Sequence, residues 1–280
     1  MATRRVRNTA FGAATFKAFE QYTPAGQRLF DDPVGPRLLS GFPAAMVRHR
    51  LLRTASAALM NRIAPGLIGA MACRTRAIDD AVTDALAAGN RQMVILGAGL
   101  DTRAHRLPVL RQVPVWELDL DQLQRSKVAA LSTATDAAVP AVTYVPIDFA
   151  HTPIAGALAA AGFGAAVPTV VIWEGVSQYL SRSEADATIR FVAGLASGSR
   201  LVFTYVPQTV IDDPRHARTV SRLQWHTGYD QAALGTVLSN LGLNLVEDLG
   251  ADDYRARYLE PLGREIAVSD LERMAVADVR

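Results

Sequence analysis

The chain has 280 residues, half of them hydrophobic and a fifth charged, and its 29 basic and 27 acidic side chains leave a net charge of +2. That length suits one large α/β domain or two small ones, and so even a balance gives no reason to expect nucleic acid or an anionic membrane as a partner. A single cysteine, Cys73, excludes an internal disulfide and a cysteine-built metal site and points to a cytoplasmic protein, and no apolar run approaches the ~20 residues of a membrane span.

Arginines at positions 4, 5 and 7 are followed by no apolar core, so no signal peptide is expected. Phe11 to Gln21 places Phe11, Ala14, Phe16, Ala18 and Phe19 at helical spacing. Pro24, Pro33, Pro36 and Pro43, with Gly26, Gly35 and Gly41, then interrupt the chain repeatedly. Arg48 to Asn61 resumes a helical pattern through Leu51, Leu52, Ala55 and Leu59. Residues 1–70 read either as a helical lid over the ligand edge of a sheet or as a plain cover for one core face. Residues 71–280 read as a nucleotide-binding domain.

A helix from Arg74 to Ala88, with Ile78, Val82, Ala85 and Leu86 on one stripe and Gly89 as its stop, leads into the stretch MVILGAGLDTR, Met93 to Arg103. Four apolar residues running into Gly97-Ala98-Gly99 fit a strand buried on both faces that ends in a tight turn. Val115 to Asp119 follows as a second strand, about the interval at which a nucleotide fold places a ribose-binding carboxylate. Further strands are expected at Val142–Ile147, Thr169–Trp173, Leu201–Val206 and Leu243–Asp248, with Met274–Val279 closing the sheet as an edge strand. Between them lie helices: one through Leu120, Leu123, Val128 and Leu131, and an alanine-rich one after Phe149. Another is opened by the capping box Ser181-Arg182-Ser183-Glu184, and two more run over Asp230–Leu241 and Asp252–Leu259. Regular alternation of strand and helix means a mostly parallel sheet with helices on both faces. Residues 207–229 lack a period and read as a substrate-side insertion.

A dinucleotide fingerprint would need Gly or Ala where Thr102 stands, and Asp101 has the wrong charge for a pyrophosphate. A cofactor without phosphate tolerates both. The strand ends Asp119, Asp148 and Glu174 should converge at one edge of the sheet. Three unpaired carboxylates there would repel one another unless a donor-rich ligand met them. S-adenosyl-L-methionine, with ribose hydroxyls, an adenine amino group, an ammonium and a sulfonium, is such a ligand.

The arrays Arg28-Leu29-Phe30-Asp31-Asp32-Pro33, Arg74-Thr75-Arg76-Ala77-Ile78-Asp79-Asp80, Leu96 to Arg103, Glu117-Leu118-Asp119, Asp148-Phe149 and Trp173-Glu174-Gly175-Val176 resemble the leucine carboxyl methyltransferase family. The likeness is to its bacterial branch, S-adenosyl-L-methionine-dependent O-methyltransferases of the polyketide-biosynthesis type. The resemblance implies a Rossmann-like class I methyltransferase fold with a seven-stranded sheet and an N-terminal helical lid. It implies that Gly97 and Gly99 line the methionine moiety and that Arg74 binds its carboxylate. By the same likeness Asp119, with Leu120 beside it, holds the ribose, Asp148 and Phe149 read the adenine, and Glu174 faces the methionine ammonium. Eukaryotic members carry a further basic residue in the N-terminal section, for which Arg37, Arg48 and Arg53 are candidates here.

The expected activity is methyl transfer to a carboxyl or hydroxyl oxygen of a small molecule, without a metal. A carboxylate acceptor needs no base, whereas a hydroxyl would call on one of His151, Tyr179, His216 or His226. His105 is a further histidine near the turn, and no residue is assigned a catalytic role. A nicotinamide-dependent oxidoreductase and a non-catalytic cofactor-binding regulator are the alternatives.

Overall fold

The computed structural model describes residues 2–134, 142–149 and 151–280. Its centre is a seven-stranded sheet in the order β3-β2-β1-β4-β5-β7-β6. The strands are β1 (Gln92–Leu96), β2 (Val115–Asp119), β3 (Val142–Pro146), β4 (Thr169–Trp173), β5 (Arg200–Tyr205), β6 (Leu243–Leu249) and β7 (Arg273–Val279). All neighbours are parallel except β7, which runs antiparallel to both β5 and β6. The expected mostly parallel α/β sheet is therefore present.

One expectation fails. Met274–Val279 is not an edge strand but lies inside the sheet, with β6 outside it. Met274, Ala275, Val276 and Ala277 are all buried, so small and apolar residues occupy both faces, and the apparent alternation is one of size rather than polarity. Strand β6 carries the edge signature instead, with an irregularity between Leu245 and Glu247.

The helices are α1 (Ala2–Ala18), α2 (Gly35–Leu38), α3 (Gly41–Arg48), α4 (Arg50–Ile63), α5 (Leu67–Ala87), α6 (Arg103–Arg106), α7 (Asp121–Ala134), α8 (Ile154–Ala160), α9 (Arg182–Ala193), α10 (Gln208–Asp212), α11 (Ala217–Leu223), α12 (Leu234–Asn240) and α13 (Ala251–Tyr254). The first helix starts well before Phe11. The helix expected over Arg48–Asn61 is α4 and starts two residues later, at Arg50, because His49 takes an extended conformation (φ −84, ψ 118) that leaves Arg48 as the end of α3. Helix α5 begins seven residues before Arg74, since Ala72 and Cys73 are buried in the same core cluster as Val268 and extend the packed stripe. Residue 70 thus lies within a helix. The aperiodic insertion holds two short helices, α10 and α11, and is pinned at its base by a bridge between Pro207 and Tyr229. The helix expected over Asp230–Leu241 is confined to α12, and that over Asp252–Leu259 passes from α13 into a wider π turn, Arg255–Leu259.

Alternate residues of the central strands feed two cores. Met93, Ile95, Val170 and Ile172 pack on one face with Ile78, Val82 and Ala85 of α5. Val94, Leu96, Val171 and Trp173 pack on the other with Ile189 and Val192 of α9. Helix α9 starts at the expected capping box, with Ser181 N–H donating to Glu184 Oε2 at 2.7 Å. A third cluster joins Ala18, Phe19, Ala44 and Val47 with Ala57 and with Leu100 of the glycine turn. This packing ties α1, α3 and α4 to the carboxyl edge of the sheet.

Candidate functional site

The strand order reverses between β1 and β4, and in doubly wound sheets ligands bind at the carboxyl ends beside such a switch point. The glycine turn stands there. Gly97 and Gly99 adopt φ of +69 and +50, the left-handed region that side chains disfavour, and a methyl group on Gly97 would overlap Val176 Cγ2. The turn is tied to the neighbouring strand, as Gly97 N–H donates to Leu118 O at 2.8 Å.

Asp119 ends β2 with its carboxylate gripped from both sides. Gly99 N–H donates to Oδ2 at 2.6 Å and Leu120 N–H to Oδ1 at 2.7 Å. Burial pushes the carboxyl above its ordinary value, and these two amides oppose the shift. Asp148, beyond β3, is exposed and meets His151 Nδ1 at 3.0 Å, while Phe149 packs half-buried against the second core.

Glu174, after β4, is not the unpaired acid that the strand-end pattern suggests. Its side chain is 9 % exposed and is met by three cations. Lys17 Nζ lies 2.6 Å from Oε1, Arg74 Nη2 lies 2.8 Å from the same oxygen, and Arg103 Nη1 lies 2.8 Å from Oε2. Burial alone would raise this carboxyl, but Lys17, Arg103 and Arg74 together hold it well below the usual range. The ammonium beside Glu174 here is the chain's own, from α1.

The pairs continue outward into a network. Arg74 also reaches Glu272, which accepts a hydrogen bond from Thr204. Arg103, 1 % exposed, binds Asp101 and donates through Nε to Asp79 at 2.8 Å. Arg106 binds Asp79 as well, and the Thr102 hydroxyl donates to Asp32 at 2.7 Å. Asp101 also accepts from Arg103 N–H at 2.7 Å, which ties the turn to the first residue of α6. Charges this deeply buried are tolerable only when each has a partner.

Helix α1 crosses the site. Ala10 lies against Gly99, close enough that a Cβ on that glycine would stand 3.4 Å from the alanine methyl. A cavity of about 20 Å³ remains between α1 and the turn, lined by Lys17, Asp101 and Arg103 among others. That is room for one water.

Of the residues singled out in the sequence, Arg74, Gly97, Gly99, Asp119, Leu120 and Glu174 meet at this switch point, and Asp148 and Phe149 follow the next strand outward. Arg37 and Arg48 are exposed, and Arg53 stacks over Tyr22 and donates to Val47 O. Among the described side chains, the N-terminal basic residue that reaches the cluster is Lys17, on the helix whose apolar stripe is legible but whose inward cation is not. Arg103, Asp79 and Glu272 were missed as well. Arg103 sits inside the array quoted for the resemblance, and an arginine two residues after an acid in the glycine turn was the available signal. His105, near the turn, is driven to a pKa of about 4 chiefly by burial, with Lys127 adding to the effect, so it is neutral at physiological pH. His151 and His226 are exposed, and no cluster of potential metal ligands occurs among the described residues.

The family model for leucine carboxyl methyltransferase matches residues 10–193, which include the glycine turn, Arg74 and all three strand-end acids. The chain belongs to the leucine carboxyl methyltransferase family. A relative from Mycolicibacterium gilvum, named "Putative S-adenosyl-L-methionine-dependent methyltransferase", is 41 % identical over 60 % of this chain, and the match spans 54 % of the relative's own length. One from Mycobacterium avium with the same name is 33 % identical over 79 % of this chain and 76 % of its own. Among solved structures, a DUF574 family protein from Streptomyces avermitilis aligns with TM-score 0.58 at 20 % identity, covering 94 % of this chain and all of that one. A methyltransferase-like structure from Thermobifida fusca aligns with TM-score 0.56 at 19 % identity, over 87 % and 92 % of the two chains. These two likenesses speak for the fold.

Proposed function

We propose that this S-adenosyl-L-methionine-dependent methyltransferase delivers its methyl group to a carboxyl or hydroxyl oxygen of a small molecule, in the cytoplasm. The observation that carries the reading is the grip on Asp119. Two backbone amides fix its carboxylate at the switch point, one from the glycine turn itself, which leaves the outward lone pairs of both oxygens to accept from a vicinal diol. The rest of the donor set fits the same cofactor. Asp148 is exposed to accept from an amino group, and the backbone of Phe149 beside it is the part that would read the ring edge. Arg74 beside ionised Glu174 matches an amino-acid carboxylate, and Lys17 holds the place that a ligand ammonium would take against Glu174. Gly97 and Gly99 allow close approach of the backbone.

When bound, the cofactor supplies an electrophilic methyl on a sulfonium. The chain's own contribution is to position the reactants and to exclude water, which together carry most of such a displacement. Helix α1 serves the second task as a lid, since it already rests on Gly99. The family's carboxyl chemistry supports an acceptor that is already ionised at neutral pH and needs no general base. Asp101, held by the Arg103 N–H and guanidinium where a pyrophosphate would stand, speaks against the nicotinamide alternative.

Calorimetric titration with S-adenosylhomocysteine tests the cofactor site: the wild type should bind and Asp119→Ala should lose at least tenfold in affinity. Incubation with methyl-labelled cofactor and a pool of small organic acids and phenols tests the transfer. Label released as methanol by mild alkali marks a carboxyl ester, and alkali-stable label marks an ether. Cofactor binding without transfer to any acceptor would favour the non-catalytic regulator, and no binding would refute the site.

A further inference from the structure

The near-neutral net charge conceals a segregated surface. No acidic residue occurs between Asp32 and Asp79, while that stretch holds Arg37, Arg48, Arg50, Arg53, Arg62, Arg74 and Arg76. Its outermost element is α4, which has no buried residue at all and no Asp or Glu. The half-buried positions Arg53, Ser56, Ala57 and Met60 mark its inward face, and Ala57 packs in the cluster that joins α1 to the glycine turn. The opposite face carries Leu51 at 85 % exposure, Leu59 at 59 % and Ile63 at 62 %, with Leu52 beside them at 40 %. Residues 51, 55, 59 and 63 follow one another at four-residue spacing, so they form one stripe about 18 Å long. Arg48, His49 and Arg50 stand exposed at one end of this stripe and Arg62 at the other, and Phe42 of α3 adds a further apolar residue at 68 % exposure.

Exposed leucines scattered singly need no explanation, but a stripe of them flanked by arginines does. We propose that the outer face of α4 is a docking surface for an anionic lipid bilayer, on which the helix lies flat with its apolar stripe in the acyl boundary and its arginines among the headgroups. Charge decides against a second copy of the chain, because a two-fold contact through this face would bring Arg50 and Arg62 against their own counterparts with no carboxylate on the helix to meet them. Shape decides against a partner helix. Leu51, Leu59 and Ile63 are 59–85 % exposed, so the stripe stands out as a ridge, and helix recognition needs a groove. A soft surface of opposite charge suits a basic amphipathic helix. The charge balance of the whole chain, from which no membrane partner is expected, averages this face away.

The test is co-sedimentation of the full chain with vesicles, which reads docking independently of methyl transfer. Wild-type protein should pellet with vesicles of phosphatidylcholine containing roughly one third phosphatidylglycerol, and bind at least about tenfold more weakly to phosphatidylcholine alone or at high salt. Leu51→Glu with Leu59→Glu should cut binding at least about tenfold, and so should Arg48→Ser with Arg50→Ser and Arg62→Ser. These positions are exposed, so the variants should keep the wild-type circular dichroism. Val246→Glu, at an exposed position on β6, should leave binding unchanged. Failure to pellet with either vesicle, or equal binding to both, overturns the proposal. So does a wild-type dimer in solution that the leucine variant splits, since the stripe would then be an interface between copies.

Discussion

Replacing Arg103 by Leu should be among the most damaging single changes in the chain. The guanidinium is 1 % exposed and is held by Asp79, Asp101 and Glu174, whose side chains are 7–9 % exposed. Removing it leaves three carboxylates facing one another out of water. Breaking a buried pair from one side costs about 3–5 kcal/mol, a large part of the roughly 5–15 kcal/mol that holds a domain together. The loss should carry a pH signature. Without the cation Asp101 and Glu174 lose part of what holds them down against burial and their folded-state pKa values rise, and a carboxyl raised in this way contributes stability that is present at low pH and lost as pH rises. The deficit should therefore be widest at neutral pH and shrink toward about pH 4. Urea unfolding followed by tryptophan fluorescence at several pH values measures this. Arg103→Lys, which keeps a charge but cannot span three acids, should fall between the two and serve if the leucine variant does not fold. A loss below about 1 kcal/mol at neutral pH, unchanged on acidification, would show that the network carries no such burden.

Gly97→Ala should lower stability by at least about 1–3 kcal/mol and abolish cofactor binding, because it meets both a φ of +69 and the side chain of Val176. A thermal melt and a calorimetric titration check the two effects, and a variant that behaves as wild type would refute the close-approach reading. Glu117 is fully buried 2.5 Å from Lys127, and burial drives its carboxyl up from its ordinary 4.5 to about 7 despite that partner. Its contribution to stability is thus lost as pH rises through that window, on the order of 3 kcal/mol, and Glu117→Gln should flatten the dependence of unfolding free energy between pH ~5 and ~7. An unchanged pH profile in the variant would count against it.

Much of the scaffold was legible because central strands are spelled in unbroken apolar runs that stop at glycine or acid. Met93–Leu96, Val115–Asp119 and Thr169–Trp173 could be read nearly residue for residue, and so could the Ser181 cap. What escaped was decided between distant segments. The place of β7 depends on which strand offers a free edge, and a run of small apolar residues does not record that. The break at His49 carries no Gly or Pro, so nothing in the local sequence marks it. In the site, the acids were visible at strand ends but their partners were not. Lys17 and Glu174 lie 157 positions apart and Arg74 and Glu272 lie 198 apart, so neither spacing nor period links them.

The antiparallel strand β7 also bears on how the sheet is made. Strand β6 touches the rest of the sheet only through β7, yet β7 follows it in the chain by more than twenty residues. During synthesis, β1 to β5 can pair as each emerges, whereas β6 must wait, and β5 meanwhile presents an open edge of backbone amides and carbonyls. Nascent chains are most prone to pair with the wrong neighbour at such an edge. The latest of these seven strands is therefore the one that shields β5 from its own copies, and slowing its arrival should tax solubility more than slowing any strand before it.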